Sequence, residues 1–277
     1  MAPAFTSELV LAATEDGLSA FDRRSGRPRW EAKLGERTNT PAVVGATAVV
    51  TTWDGSMAGI DLGDGKLRWR TKLGGNALGP PSGAGSVAVA TFATQTVAGA
   101  VAVDAATGRP RWKVPLPAGG TSAPAIVEVS GAGAVVVMVA GDVAAHGLSI
   151  DDGARRWRQE LEGAGSPEVP PLALPGGKVL VAHRLGGMAM LDAGDGTQEW
   201  AAQSDEAAVT GGPAGPGPNG WFAMPLYDGS LMLAKAGNTE FRQPAGEVTG
   251  VARGPEGTLL AGVSQGSDSG LTAISGW

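Results

Sequence analysis

The sequence predicts an all-β fold, a β-propeller of about seven four-stranded antiparallel blades, and two observations lead to it. The first is a repeat of about forty residues that ends in tryptophan, with Asp and Gly at fixed distances before it. The second is the composition, in which 45 Gly and 19 Pro separate short runs of Val, Ala, Leu and Thr. This composition is typical of many short strands joined by tight turns.

Four copies of the repeat keep Asp, Gly and Trp at intervals of four residues: Asp22, Gly26 and Trp30; Asp61, Gly65 and Trp69; Asp104, Gly108 and Trp112; Asp192, Gly196 and Trp200. Two degenerate copies follow the same frame, Ser149, Gly153 and Trp157, and Leu233, Gly237 and Phe241. A truncated copy ends at Trp277. The repeat therefore covers the whole sequence, and we expect one domain over residues 1–277.

Turn residues divide the clearest repeat into four predicted strands, at residues 41–44, 48–52, 56–61 and 66–73. Asp54 and Gly55 between the second and third strands predict a tight hairpin, because Gly tolerates a positive φ. One such sheet cannot bury both faces alone, so the sheets must stack, and radial closure protects their edges. The predicted first strands of the seven blades lie at residues 3–5, 41–44, 81–83, 125–127, 172–174, 213–215 and 250–252. An incomplete last blade or edge residues 1–6 could close the ring.

Charge and cysteine content exclude several kinds of partner and site. The net charge is −6, and Lys and Arg are spread among acidic residues, which argues against a nucleic-acid partner. The absence of cysteine excludes disulfides, thiolate metal sites, a Cys nucleophile and a lipidated Cys anchor. No basic leader and no apolar stretch of about 20 residues are visible. We therefore expect a cytoplasmic monomer with no membrane partner.

The repeat units resemble the tryptophan-docking repeats of the PQQ-like propeller family, whose signature is close to Ala-Leu-Asp-x-x-Thr-Gly-x-x-x-Trp. Residues 101–112, Val-Ala-Val-Asp-Ala-Ala-Thr-Gly-Arg-Pro-Arg-Trp, are the best match. The resemblance covers nearly the entire chain. It implies that the Trp of each fourth strand packs between adjacent blades, against the Gly-containing turn of a neighbour. The structural tryptophans would then be Trp30, Trp69, Trp112, Trp157 and Trp200.

The sequence departs from the well-understood branches of this family. Quinoprotein dehydrogenases hold their quinone with a disulfide of adjacent cysteines, a calcium site and a catalytic Asp, and none of these can be mapped here. The assembly lipoproteins need a signal sequence and a lipidated Cys, and neither is visible. We therefore expect a non-redox propeller with no cofactor and no metal.

The predicted site lies on the loops before the first strands and on the hairpins between second and third strands, which open around the propeller axis. Side chains unusual for simple turns mark it, and the predicted ligand-binding residues are Trp53, Arg184, Arg37, Asn39, Asn76, Gln95, Glu15 and Asp228. Trp53 and Tyr227 precede Asp-Gly in equivalent hairpins, where the first blade has Glu15. The aromatic pair could stack on a planar or apolar ligand, or pack over the neighbouring blade.

The predicted catalytic residues are His183, Glu168 and Tyr227. His183 or Glu168 would act as general base and Tyr227 as general acid, because the pKa of histidine allows proton transfer near neutrality. The alternative is that His183 is an ordinary hydrogen-bonded residue. Arg184 could bind a carboxylate or phosphate, or pair with a nearby Asp.

Two main functional hypotheses follow. The first is a module that binds a small molecule or a protein through the axial funnel. The second is a cofactor-independent cyclase, lyase or isomerase acting on a hydrophobic small molecule, in bacterial specialised metabolism. An enzyme should have a deep pocket with a perturbed pKa, whereas a protein-binding module should expose an apolar patch. A purely structural scaffold is a third possibility.

Overall fold

The structure is a computed structural model that describes residues 3–162, 169–208, 213–217, 219–243, 247–253, 258–265 and 268–274. These residues form 27 strands in seven antiparallel sheets, numbered in chain order. Among them no helix has the length and apolar character that crossing a membrane requires. Each sheet is a meander in which consecutive strands pair, as expected for short strands joined by tight turns.

The first four sheets each contain a full meander. The first consists of β1 (Ala4–Phe5), β2 (Leu9–Ala13), β3 (Gly17–Asp22) and β4 (Pro28–Lys33); the second of β5 (Ala42–Val44), β6 (Thr47–Thr52), β7 (Ser56–Asp61) and β8 (Leu67–Lys72). The third adds β9 (Asn76–Ala77) to β10 (Ser82–Ala84), β11 (Val87–Ala93), β12 (Ala98–Asp104) and β13 (Pro110–Leu116). The fourth contains β14 (Ala125–Val129), β15 (Gly133–Ala140), β16 (Ala144–Ser149) and β17 (Arg155–Glu160).

The fifth sheet is also a full meander, whereas the sixth and seventh have three strands each. The fifth contains β18 (Leu172–Leu174), β19 (Lys178–His183), β20 (Gly187–Asp192) and β21 (Gln198–Gln203). The sixth has β22 (Phe222–Pro225), β23 (Leu231–Lys235) and β24 (Asn238–Arg242), with its predicted first strand reduced to a bridge between Ala214 and Ala223. The seventh has β25 (Glu247–Arg253), β26 (Leu259–Gln265) and β27 (Asp268–Ile274). The predicted strands of the second sheet are thus correct to within one residue at each end.

The chain divides into two compact units, and the division runs through the fourth sheet. One unit comprises residues 1–126, 140–142 and 148–155, and the other comprises residues 127–139, 143–147 and 156–277. Within each unit the apolar core lies between successive sheets. One cluster joins Val49 and Met57 of the second sheet to Ala90 and Val101 of the third. Strands β6 and β7 are buried almost throughout because they face neighbours on both sides, so small Ala, Val and Gly side chains suit them.

Four tryptophans dock on the turn of the following sheet, as the resemblance implied. Their indole N–H groups donate to carbonyl oxygens at 2.8–2.9 Å: Trp30 to Leu62, Trp69 to Ala105, Trp112 to Ile150 and Trp157 to Ala193. Each ring covers the repeat glycine of that turn, and a Cβ built on Gly108 would lie 2.5 Å from the Trp69 ring. The Gly and the Trp of the repeat are therefore two halves of one contact between neighbouring sheets.

The repeat Asp shapes the turn that receives the indole. The carboxylate of Asp104 accepts hydrogen bonds from the Thr107 amide and hydroxyl, and from Arg111 at 3.0 Å. The Asp104 carbonyl accepts the Gly108 amide at 2.7 Å. The pKa of the Asp104 carboxyl lies below its ordinary value, because Arg111 and Thr107 bind the charged form. The repeat Asp is therefore a turn former.

Trp200 differs from the other four, which corrects the prediction that all five dock alike. Its ring centroid lies 5.9 Å from that of Phe222, and within the described residues its N–H donates to no turn carbonyl. In the following sheet a two-residue hairpin between Lys235 and Asn238 replaces the longer Asp-containing turn. The acceptor loop is missing there, so Trp200 packs on an aromatic ring instead.

Val143 adopts a backbone conformation that favours glycine. Its φ is +54°, whereas Gly55 has φ +74° at the equivalent hairpin position of the second sheet. The equivalence follows from the hydrogen bonds, because Leu161 donates to the Val143 carbonyl as Leu73 donates to that of Gly55. A β-branched residue in this region carries a strain of about 1–3 kcal/mol.

We predict that Trp69→Phe lowers the free energy of unfolding by about 1–3 kcal/mol, because a buried hydrogen bond to the Ala105 carbonyl is lost. Trp200→Phe is the matched control and should cost clearly less, since no such bond is broken. Urea unfolding followed by far-ultraviolet circular dichroism measures both. Equal losses would contradict the docking argument.

We further predict that Val143→Gly raises the free energy of unfolding by about 1 kcal/mol, because the strained φ is relieved. The reverse change at the equivalent position, Gly55→Val, should destabilise, since a side chain there would collide with the backbone carbonyl of Gly75. Thermal and urea unfolding of both variants provide the measurement. A destabilised Val143→Gly protein would show that Val143 contributes more by packing than it loses by strain.

Candidate functional site

Three hairpins share one geometry and place three different side chains at the same position. Three residues separate Thr52 from Ser56, His183 from Gly187, and Leu226 from Ser230. The first residue of these turns is Trp53, Arg184 and Tyr227, respectively. The predicted equivalence of Trp53 and Tyr227 is therefore correct, and Arg184 joins them.

The first sheet does not follow this pattern, which corrects the position expected for Glu15. Only Glu15 and Asp16 lie between Thr14 and Gly17, whose backbones are hydrogen-bonded at 2.9 Å. The hairpin is one residue shorter than that of Trp53, so Glu15 is not its equivalent. The Asp-Gly pair suggested the wrong alignment because Gly17 is already the first residue of strand β3.

Arg37 supports Trp53 from the loop before the second sheet. The guanidinium carbon lies 4.9 Å from the Trp53 ring centroid, and the Trp53 amide donates to the Arg37 carbonyl at 3.1 Å. Arg37 Nε lies 3.4 Å from Glu15 Oε1, an ion pair whose angle is too poor for a hydrogen bond. Trp53 nevertheless remains 61% exposed. The result is a fixed aromatic surface that faces solvent.

Asp54 fixes the turn beneath this surface. Its carboxylate accepts hydrogen bonds from Thr52 Oγ1 at 2.6 Å, Lys72 Nζ at 2.7 Å and Arg70 Nη2 at 3.0 Å. Burial alone would raise the pKa of the Asp54 carboxyl, but these donors hold it well below its ordinary value. The carboxylate therefore stays ionised and holds the hairpin that presents Trp53.

The other predicted ligand-binding residues of this unit have separate surroundings. Asn39 Nδ2 donates to Thr51 Oγ1 at 3.0 Å and to the Gly79 carbonyl at 3.3 Å, so its side chain joins two loops. Asn76, in strand β9, pairs with Ala93 of strand β11. Gln95 is exposed in a longer hairpin of the third sheet. The structure thus brings Arg37, Trp53 and Glu15 together.

Arg184 and Tyr227 form a second arginine–aromatic pair, in the other unit. The guanidinium carbon of Arg184 lies 5.5 Å from the Tyr227 ring centroid, and Nη2 donates to the phenol oxygen at 3.2 Å. Tyr227 is 48% exposed. Here the cation comes from the preceding hairpin, whereas Arg37 comes from a loop. Two sheets therefore present an exposed aromatic ring with an arginine against it.

A groove of about 400 Å³ lies beside the Tyr227 hairpin. Asp228 lines it together with Asp205, Glu206, Phe241 and Arg242. Asp205, Glu206 and Asp228 are exposed, and Phe241 is 56% exposed. The groove therefore offers three carboxylates next to an apolar ring and one cation.

His183 is buried at a smaller cavity of about 100 Å³. Its Nε2 lies 2.7 Å from the carbonyl oxygen of Glu162, which can only accept, so Nε2 carries the proton. Burial lowers the pKa of the imidazole, although the Glu162 carbonyl acts in the opposite direction. His183 is thus neutral at pH 7, and its Nδ1 is a buried acceptor with no partner among the described residues.

The structure does not bring the predicted catalytic residues together. Tyr227 is not among the residues that line the His183 cavity, and its hydroxyl group accepts a hydrogen bond from Arg184. Glu168 lies outside the described residues. Sequence reasoning missed Gln203, which strand pairing brings opposite Gly187, and Glu162, which follows strand β17 of the preceding sheet; both line the cavity. In the described part of the chain, no three His, Asp or Glu side chains converge to hold a metal ion.

A protein family model described as "Outer membrane protein assembly factor BamB" matches the chain at residues 2–98, 75–212 and 140–250. No curated protein sequence matches significantly. This description names the assembly factors, the branch of the family from which the chain departs because it has no cysteine.

Three solved structures are similar over most of the chain. BamB from Moraxella catarrhalis has a TM-score of 0.67 at 14% identity, over 95% of this chain and 91% of that one. The β-propeller domain of Myceliophteria thermophila Cps50 (Swd1) has a TM-score of 0.66 at 12% identity, over 97% and 93%. A europium-containing methanol dehydrogenase has a TM-score of 0.70 at 14% identity, over 95% and 72%. The predicted β-propeller of about seven blades is thereby confirmed.

We predict that Asp54→Asn destabilises the protein at pH 7 by about 1 kcal/mol, because Lys72 and Arg70 lose their charged acceptor. The pKa of Asp54 is lowered from its ordinary value of 3.8, so the carboxylate stabilises the fold above about pH 4. That contribution decreases progressively as the pH falls below this value toward the lower pKa of the folded state. The difference between wild type and variant, measured by urea unfolding, should therefore shrink from pH 7 to pH 3. A constant difference would contradict this assignment.

Proposed function

The chain belongs to the PQQ-like propeller family described as outer membrane protein assembly factor BamB, and we propose that it is a non-redox member that binds a partner protein. The observation that carries this proposal is the pair of exposed aromatic side chains, Trp53 and Tyr227, each held by an arginine. Trp, Tyr and Arg are the residues most enriched at the energetic centres of protein interfaces.

The two pairs are fixed before any partner binds. Asp54 holds the Trp53 turn through three donors, and Arg184 is hydrogen-bonded to the Tyr227 hydroxyl. Ordering a long side chain on binding costs about 0.5–1.5 kcal/mol, and a fixed side chain avoids much of this cost. Such rings are therefore suited to be anchors of an interface.

A protein partner suits these surfaces better than an enclosed small molecule. Pockets for small ligands bury about 70–90% of the ligand, whereas Trp53 and Tyr227 are 61% and 48% exposed on hairpins. The groove beside Tyr227 indicates the chemistry of the partner. Asp228, Asp205 and Glu206 would attract a basic side chain, and Phe241 would receive an apolar one.

The family description agrees with a protein partner, since it names an assembly factor for outer membrane proteins. We include in the same proposal that the protein is a cytoplasmic monomer with no nucleic-acid or membrane partner. These points rest on net charge, on composition and on sequence pattern alone.

The alternative, an acid–base enzyme, has weaker geometric support. His183 has a lowered pKa and an Nδ1 without a partner in the described part of the chain, features that a general base could use. However, its cavity of about 100 Å³ is smaller than the roughly 300–1,000 Å³ of typical ligand pockets. The proposed acid, Tyr227, does not line that cavity. Binding is therefore the function that the geometry supports better.

We predict that Trp53→Ala or Tyr227→Ala, according to which ring a retained partner covers, weakens that complex at least tenfold, because the variant removes the anchor ring. The full chain would be immobilised, the host proteins it retains identified, and the affinity of the retained protein measured by calorimetry. Arg37→Lys keeps the charge but loses the planar contact with Trp53 and should give an intermediate loss.

Leu67→Ala is the matched control, because Leu67 is 49% exposed on strand β8, outside the hairpins. It should leave the affinity unchanged. The proposal is overturned if the partner binds both ring variants as tightly as it binds wild type. It is also overturned if Leu67→Ala weakens binding as much as the ring variants do.

A further inference from the structure

The repeats allow each side chain around His183 to be compared with its counterparts in other sheets. In the third sheet Trp112 pairs with Ala102, which pairs with Val89, and Phe92 lies three residues after Val89. In the fifth sheet Trp200 pairs with Met190, which pairs with Leu180, and His183 lies three residues after Leu180. His183 is therefore equivalent to Phe92. Each ring packs across the strand pair on a glycine, Gly99 beneath Phe92 and Gly187 beneath His183. The two sheets therefore hold an aromatic ring in the same place.

A cation occupies the space next to this ring in the third sheet. Lys113, the residue after Trp112, donates from Nζ to the Leu73 carbonyl at 2.8 Å. The same Nζ lies 4.5 Å from the centre of the Phe92 ring. Lys113 therefore spans from its own sheet to the end of the preceding one and covers the ring.

The second sheet repeats the hydrogen bond to the leucine carbonyl, with an arginine as the donor. Arg70 follows Trp69 as Lys113 follows Trp112, and its Nη1 donates to the Leu34 carbonyl at 3.1 Å. Leu34 and Leu73 hold the same position, four residues after the Trp of the preceding sheet. A cationic side chain that donates to this leucine carbonyl is thus a recurring element of the fold.

In the fifth sheet the corresponding residue is Ala201, which follows Trp200. Its methyl group cannot reach the preceding sheet, and a cavity of about 100 Å³ opens where the other two sheets have a cation. The leucine of the preceding sheet, Leu161, lines this cavity together with His183, Val181 and Ala202. The cavity is therefore the space of a missing cationic side chain.

The polar groups of the cavity suit a hydrogen-bond donor. His183 is 2% exposed and its Nδ1 has no partner among the described residues, while Nε2 donates to the Glu162 carbonyl. An unpaired buried acceptor is costly, so a donor that reaches Nδ1 would be favoured. Leu161, Val181 and Ala202 provide an apolar wall for a short alkyl chain.

We propose that this cavity is a binding site for a primary alkylammonium group, which enters beside Ala201 and donates a hydrogen bond to Nδ1 of His183. The atoms that a lysine has beyond Cβ are three carbons and one nitrogen, so n-propylammonium is the matching probe. A free amine and a lysine side chain of another protein share this chemistry. The site is distinct from the proposed protein-binding hairpins, although Arg184 directly follows His183 in the chain.

The test is titration of the full-length protein with n-propylammonium near neutral pH, followed by the imidazole ¹⁵N signals. The chain has two histidines, so His146 serves as an internal reference. We expect a saturable shift of the His183 Nδ1 signal with a dissociation constant on the order of millimolar, as suits so small a ligand. Tetramethylammonium has no N–H and should produce no such shift.

Three variants make the assignment specific. Ala201→Lys should fill the cavity and abolish the response, and Ala201→Met should do the same without adding a charge. Lys113→Ala should create a second site in the third sheet, detected as an additional saturable shift of the Phe92 ring signals. Nα-acetyl-lysine methylamide distinguishes the two sources, because a shift with this compound shows that a lysine side chain can enter.

The proposal is overturned if n-propylammonium gives no saturable shift of His183 in the wild-type protein. It is also overturned if tetramethylammonium gives the same shift, or if both Ala201 variants fold and respond at least as strongly as wild type. A response to the free amine but not to the lysine derivative supports a site for small amines.

Discussion

The fold depends on the docking of an indole on the turn of the next sheet. Trp69 donates its N–H to the Ala105 carbonyl and covers Gly108 so closely that no other residue would fit there. Asp104 supports the same contact, because its carboxylate and carbonyl hold the turn that carries both acceptor and glycine. Gly and Trp are thus parts of one interaction that is made between sheets four times, three times on a turn with Asp and once, for Trp112, on a turn with Ser149 in its place. The hairpins at the ends of strands such as β6 take no part in it, so they can vary.

Regular parts of the fold could be predicted because local rules decide them. The strands of the second sheet were placed to within one residue since Gly and Asp mark their ends. Prediction failed where the spacing of residues in the sequence did not match the strand pairing in the structure. Glu15 precedes Asp-Gly as Trp53 does, yet its hairpin is one residue shorter. Trp200 keeps the repeat spacing, but the turn that should receive it is shortened to a two-residue hairpin between Lys235 and Asn238.

The candidate sites were harder to predict because their surroundings come from other sheets. The sequence singled out Arg37, Trp53, Arg184 and Tyr227, but not the pairing of each arginine with one ring. It also singled out His183, but not the burial that lowers the pKa of its imidazole or the hydrogen bond to the Glu162 carbonyl, which acts in the opposite direction. Alignment on Trp69 and Trp200 would have revealed that Trp53 and Arg184 share one position, whereas Tyr227, whose sheet has Phe241 in place of Trp, is aligned with Trp53 by its Asp-Gly pair. Comparison between repeats is therefore the most informative use of such a sequence.

The docking bonds have a direction, since each indole donates forward to a later sheet and none of the four donates backward. Losing a sheet from the carboxyl-terminal side would leave the preceding indole N–H without its acceptor. Losing one from the amino-terminal side would free only a carbonyl, a group that tolerates incomplete pairing better. The repeats consequently form a directional series, in which each sheet supplies the acceptor for the indole of the sheet before it. Fraying of such a series would spread more readily toward the amino terminus than away from it.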